Sequence, residues 1–232
     1  MSAQSDNSKF KIRSFVVRAG RITPAQQRAY DSLSGKFLVP FSNALTNFST
    51  LFDNNTQQEI PVIVEIGFGM GEATALIAAA NPDKYYLGIE VHKPGIGKLL
   101  HEIEQCSLSN IRIIEHDAVD VIEQMIPPGS LAGIHLFFPD PWPKKRHHKR
   151  RLITRPFTHK LASCLKPGAY LYMVTDWADY ANWALTELSV TDMLANTCEG
   201  FALPQEWRPR TAFERKGLAK NHEVRELLFK RI

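Results

Sequence analysis

Cysteine is scarce in this chain of 232 residues: Cys106, Cys164 and Cys198 stand far apart and form no CxxC pair. That argues against a disulfide framework and against a zinc site, and fits a reducing compartment. Long apolar runs are missing too, so no membrane span is expected. The polar start has no apolar stretch behind it and does not read as a secretory signal. There is no internal repeat and no low-complexity segment. These absences lead to the expectation of a soluble, cytoplasmic chain. With 44% of its residues hydrophobic and 22% charged, it has the composition of an ordinary globular domain.

Acid is lacking in two places. Residues 9–28 hold six bases and no acid, with Phe10, Ile12, Phe15 and Val17 interleaved. Residues 144–155 hold seven Lys or Arg among twelve positions, again with no acid. The acids collect elsewhere: residues 51–125 carry twelve of them against four bases, a net −8, so the remainder of the chain is +12 within a total of +4. An acidic segment repels phosphate and suits a small cationic ligand, whereas the basic remainder attracts a polyanion.

Periodicity and turn signals predict strands over 62–66, 85–90, 111–115, 131–138, 170–175 and 224–230. They predict helices over 72–80, 95–106, 118–125, 157–165 and 178–188. Strands alternating with helices of this length imply right-handed crossovers and an open, mostly parallel, twisted sheet covered by helices on both faces. Residues 1–58 are expected to be a basic arm and polar linker, partly disordered, and residues 59–232 the folded domain.

Three motifs carry chemistry. The first strand closes on Glu65-Ile66-Gly67-Phe68-Gly69-Met70-Gly71, where glycines allow positive φ and a close approach by a ligand. A dinucleotide fingerprint would place its third glycine one residue later, where Glu72 stands. Carboxylates at 65 and 72 disfavour a pyrophosphate and suit an amine and a sulfonium, as in S-adenosylmethionine. Glu90 ends the second strand, where an acid accepts from ribose hydroxyls, and Asp117 follows the third as an acceptor for adenine or as a helix cap. Asp140 lies between two prolines after the fourth, so its carboxylate is aimed. Four acids at the carboxyl ends of four strands define one crevice. The basic run after Asp140 then suggests chemistry on a nucleic acid, with His147 and His148 facing RNA rather than a metal.

The chain resembles the bacterial tRNA (guanine-N7-)-methyltransferases from residue 12 to its end. The resemblance rests on IRSFVVRAGR, VEIGFGMG, GIEVHKPGIGKLL, HDAVDVI, LFFPDPWPKKRHHKRR, VTDWADYA and RTAFERKG. It implies a Rossmann-like class I methyltransferase that moves a methyl group from S-adenosylmethionine to N7 of guanine 46 in the tRNA variable loop. Carried onto this sequence, Glu65, Gly67, Gly69, Gly71, Glu90, Asp117 and Asp140 would bind the cofactor, with Asp140 also catalytic. Lys144, Asp176, Thr211, Ala212, Phe213 and Glu214 would contact the substrate, and Arg146, His147, His148, Lys149, Arg150 and Arg151 the RNA. Two positions depart from the family pattern: Ala212 stands where relatives often carry a base, and Pro143 at a position that varies. Neither a metal nor an obligate protein partner is expected, and the chain would be a monomer or homodimer.

Three other readings compete. A nicotinamide-dependent dehydrogenase could use a similar sheet, but the early third glycine and Glu72 speak against it. An amino-group methyltransferase would carry Asn/Asp-Pro-Pro-aromatic, and Asp140-Pro141-Trp142 lacks the second proline. A non-catalytic RNA-binding module would not need four crevice acids.

Overall fold

The computed structural model describes residues 12–16, 20–54, 58–210, 214 and 223–232. Its centre is a seven-stranded sheet in the order β3-β2-β1-β4-β5-β7-β6. The strands are β1 (Val62–Ile66), β2 (Tyr85–Glu90), β3 (Ile111–Glu115), β4 (Leu131–Phe137), β5 (Leu165–Thr175), β6 (Leu194–Asn196) and β7 (Arg225–Arg231). All five residues of β1 are buried, as a central strand covered on both faces requires. β1 to β5 run parallel, while β7 enters antiparallel between β5 and β6.

Helices α3 (Glu72–Ala80), α4 (Lys93–Gln105), α5 (Ala118–Gln124), α6 (Arg155–Cys164) and α7 (Ala178–Ser189) connect the strands. They divide the core into two layers. α5, α6 and α7 cover one face through residues such as Ile122, Leu161 and Leu188, and α3 and α4 cover the other through Ile77, Ile96 and Leu100. Among the described residues, no helix is long and apolar enough to cross a membrane.

The segment before residue 59 contributes more than an arm. Helix α1 (Pro24–Phe37) opens with a capping box in which Thr23 and Gln26 satisfy each other's backbone amides. It packs on α4 where Gly97 leaves no room for a side chain: a Cβ there would lie 2.9 Å from the Gln26 carbonyl oxygen. Leu38 then bridges Ile113, and the Val39 amide donates to the Ile113 carbonyl at 2.7 Å, extending the sheet beyond β3. A short helix, α2 (Phe48–Leu51), follows, and Phe52 stacks on Tyr85. Residues 20–54 therefore belong to the same body as the sheet.

β5 starts at Leu165 rather than near 170, because Lys166, Pro167 and Gly168 continue the strand past a register shift between Leu131 and Gly133. β6 has three residues, too short for a periodic signal.

Candidate active site

The loop from β1 to α3 holds Gly67, Gly69 and Gly71 at φ of 74°, 59° and 73°, a region that side chains with a Cβ avoid. The start of α4 packs against this loop, and a Cβ on Gly95 would fall 1.9 Å from the Gly69 carbonyl oxygen. Glu90 ties the loop from beneath. Its Oε2 accepts from the Gly69 amide at 2.8 Å, and its Oε1 accepts from the amides of Val91 and His92 at 2.7 and 3.0 Å.

Above the loop lies a cavity of about 310 Å³ lined by Glu65, the three glycines, Phe68, Met70, Glu72, Ala73, Phe137 and Phe138. Glu65 is 2% exposed, and its Oε2 is buried without a hydrogen-bond partner among the described residues. Burial pushes its carboxyl up to about 7, opposed by the Thr74 hydroxyl and reinforced by the negative charge of Glu90. A buried carboxylate oxygen with no hydrogen-bond partner among the described residues suits a cation or a donor. Asp117 caps α5, accepting from the Val119 amide at 3.0 Å. The four acids do stand at the ends of β1 to β4, but in different situations. Glu65 faces the cavity, Glu90 is bonded to loop amides, Asp117 is a cap, and Asp140 is exposed two residues beyond Phe138.

The turn carrying Asp140 is strained on both sides. Phe138 and Trp142 adopt φ of 51° and 46°, left-handed conformations that are uncommon for aromatic residues. Such strain persists only where the surroundings fix it. The Phe138 amide donates to the Val174 carbonyl at 2.8 Å, and Arg151 Nε donates to the Pro141 carbonyl at 3.0 Å.

That second bond corrects an expectation. Arg151 is 3% exposed, pairs with Asp179, and places its guanidinium about 5 Å from the Tyr180 and Trp183 ring centres. It braces the turn from inside and is not available to a phosphate. His148 also points inward: its ring meets Trp183 edge-on, and Nε2 is buried without a partner among the described residues. Arg150 lies over Trp142 and donates to the carbonyls of Arg13 and Phe15. Lys144, Lys145, Arg146 and Lys149, on and just before a short 3-10 helix (Lys145–Arg150), remain exposed. His147 sits edge-on to Trp142, with its pKa lowered by desolvation first and then by Arg146, Lys144 and the neighbouring cations.

Asp176 is half-buried between β5 and α7, whose N-cap is Trp177. Asp176 therefore lies one residue before the cap of α7. Glu214 is 4% exposed and accepts two bonds from Arg208, at 2.6 and 2.9 Å. The same guanidinium reaches Glu226 at 2.7 Å and the Tyr172 hydroxyl at 3.3 Å. Glu214 is thus held by an internal ion pair. Thr211, Ala212 and Phe213 lie outside the described residues.

The sequence reading missed Phe68, Met70, Phe137 and Phe138 as cavity walls, although two of them are the aromatic pair in LFFPDPW. It also missed Tyr30, which brings α1 to the end of β3 by donating to Glu115 at 2.6 Å. No group of acids, histidines or cysteines able to hold a metal occurs among the described residues.

A glycine-turned crevice at the carboxyl ends of a 3-2-1-4-5-7-6 sheet defines a class I, Rossmann-like methyltransferase fold. Solved structures agree: the 16S rRNA methyltransferase KamB superposes with a TM-score of 0.59 over 81% of this chain and 94% of that one, at 15% identity. The aminoglycoside resistance methyltransferase NpmB1 gives 0.54 over the same shares, also at 15% identity. Residues 59–227 match the family described as "Putative methyltransferase". The tRNA (guanine-N(7)-)-methyltransferase of Nitrosospira multiformis is 50% identical over 95% of this chain and 94% of its own length. That of Paraburkholderia xenovorans is 52% identical over 95% of this chain and 84% of its own. The chain belongs to the tRNA (guanine-N(7)-)-methyltransferase family.

Proposed function

We propose that this chain methylates N7 of guanine 46 in the variable loop of tRNA, using S-adenosylmethionine. The similarity to the curated relatives supports the substrate, and the crevice supports the cofactor. The observation that carries the reading is the buried, partnerless carboxylate oxygen of Glu65 in a cavity floored by glycines. It fits the cationic amino-acid end of this cofactor better than any phosphate. Glu90 keeps acceptor capacity for ribose hydroxyls after its three amide bonds, since a carboxylate has about four lone-pair sites. Asp117 would accept from the adenine amine.

When bound, the cofactor supplies an electrophilic methyl group on a sulfonium. The chain's own task is to position the acceptor. Guanine N7 carries a lone pair and no proton, so no general base is needed and orientation provides most of the advantage. Asp140, fixed in a turn with strained residues on both sides, accepts from guanine donors and favours positive charge passing to the purine. Asp176 would take part in holding the base, and Lys144, Lys145, Arg146 and Lys149 the RNA backbone. A soluble, cytoplasmic protein fits this substrate. Incubating the chain with unmodified tRNA and labelled cofactor, then mapping the modified base, tests the reading. Label at any base other than that guanine, or none, would overturn it.

A further inference from the structure

We propose that a second cavity, on the same sheet face as the cofactor crevice but displaced toward the starts of β1 and β2, binds a small aromatic anion. It has a volume of about 290 Å³ and is lined by residues from the starts of β1 and β2 (Ile63, Tyr86), from β4 and β5 (His135, Tyr170), and by Lys84, Trp207 and Lys230 among others. That size lies at the lower edge of small-molecule sites, the scale of one nucleotide or of a ring system with a charged substituent.

Its aromatic wall is built in. Tyr170 lies across β4 at Gly133, where a Cβ would come within 2.6 Å of the phenol ring, so only glycine allows this placement. The Tyr170 hydroxyl bonds His135 Nε2 at 2.9 Å, and Trp207 stacks on His135 with ring centres 5.0 Å apart. Flat surfaces fixed in this way offer stacking to a planar ligand at little entropic cost.

The charge of the cavity is one-sided. Lys84 and Lys230 line it, and no carboxylate does among the described residues, although the charges of Asp83 and Glu65 reach Tyr86. Among the described residues neither lysine forms an ion pair, and the Lys84 ammonium is bonded at 2.8 Å only to the Asn81 amide oxygen. His135 adds no compensating charge: burial, then the positive charge of Lys84, pulls its pKa down to about 3 and keeps it neutral. Tyr86 lines the cavity at 2% overall exposure, and its phenol makes no hydrogen bond among the described residues. Burial, then Asp83 and Glu65, raises the Tyr86 pKa, so the hydroxyl remains a donor. A half-buried ammonium and a buried phenol donor, both lacking an acidic partner, suit an anion.

Two sources share this chemistry, a mononucleotide and an aromatic carboxylate. Calorimetric titration of the full chain with guanosine 5′-monophosphate and, separately, with indole-3-carboxylate distinguishes them. S-adenosylhomocysteine is kept saturating throughout so that the cofactor crevice is filled. Saturable binding of either probe is expected, weakened roughly tenfold by Lys84→Met and by Tyr86→Phe. Lys230→Ala, on an exposed residue, should weaken it about threefold. Lys84, Tyr86 and Lys230 lie away from Asp140 and Asp176 in the chain and line only this cavity, so a loss in their variants is assigned here and not to the guanine site. The absence of saturable binding by both probes in the millimolar range would overturn the proposal. So would affinities that the Lys84, Tyr86 and Lys230 variants leave intact.

Discussion

The guanidinium of Arg150 lies 3.9 Å from the ring centre of Trp142, and the two side chains grip the same stretch of backbone. Trp142 Nε1 donates to the Ser14 carbonyl at 2.9 Å, while Arg150 donates to those of Arg13 and Phe15 at 3.0 and 3.1 Å. The basic arm is thereby fastened to the turn that carries Asp140. Arg150→Ala removes both carbonyl bonds and the cation–π contact, so the arm should detach. Trypsin cleavage after Arg13 should then accelerate by about tenfold while the thermal midpoint of the sheet domain stays nearly fixed. Unchanged cleavage would mean that Trp142 alone holds the arm.

Gly95→Ala tests the cofactor loop. Its Cβ would overlap the Gly69 carbonyl oxygen, which is backbone and cannot swing aside. The loop must shift, and with it the Gly69 amide that Glu90 holds. Cofactor affinity measured by calorimetry should fall by roughly tenfold or more, a 1.4 kcal/mol change, with tRNA affinity little altered.

Glu65 gives a pH dependence of known sign. Its carboxyl is raised to about 7 in the fold, so near pH 6 it holds a proton that an unfolded chain has already lost. Folding stability from this group therefore declines as pH rises from about 4.5 to about 7. Cofactor affinity should move the other way, since a cationic ligand prefers the carboxylate. Below about pH 7 binding should release a proton, visible as a heat that depends on buffer ionisation. In Glu65→Gln the affinity should be weaker and the proton release absent.

Much of this site was legible in the sequence because its signals are local. Glycines at 67, 69 and 71 directly after an apolar run, and a proline-flanked Asp140, fix backbone geometry over a few residues. The assignment of basic residues was less legible, since composition counts charge without direction. Arg151 and His148 sit in the same run as Arg146 and Lys149, yet they turn inward toward Trp183 and Tyr180, residues some thirty positions away in the chain. Helix α1 does have a local signature, the capping sequence Thr23-Pro24-Ala25-Gln26, but it lies inside the stretch 9–28 whose six bases also fit a solvated arm. The Arg208 cluster joins positions 172, 208, 214 and 226 and has no local signature.

Asp140→Ala should separate catalysis from binding. The side chain is exposed and does not line the cofactor cavity, so its loss should leave cofactor and tRNA affinities within about threefold. Single-turnover methyl transfer should fall by at least 10²-fold, the scale for removing a group aimed at developing charge. A loss below about tenfold would take Asp140 out of the central role.

The division of the basic run into exposed and internal residues leads to two contrasting outcomes. Lys145, Arg146 and Lys149 are exposed and near one another. Neutralising all three should flatten the log–log dependence of tRNA affinity on salt by roughly two to three units, because each phosphate contact contributes about 0.7 to 0.9. Cofactor affinity should be unchanged, since none of the three lines the cavity. Arg151→Ala should behave differently. It removes an internal brace to the Pro141 carbonyl and to Asp179, and leaves the Tyr180 and Trp183 rings facing a void. The expected result is a lower thermal midpoint, from a loss of about 1–3 kcal/mol, with the salt slope kept. If the triple variant retains the full slope while Arg151→Ala reduces it, the exposed helix is only a solvated face. The fastened arm, with Arg13 held beside the Asp140 turn, would then be the surface that meets RNA.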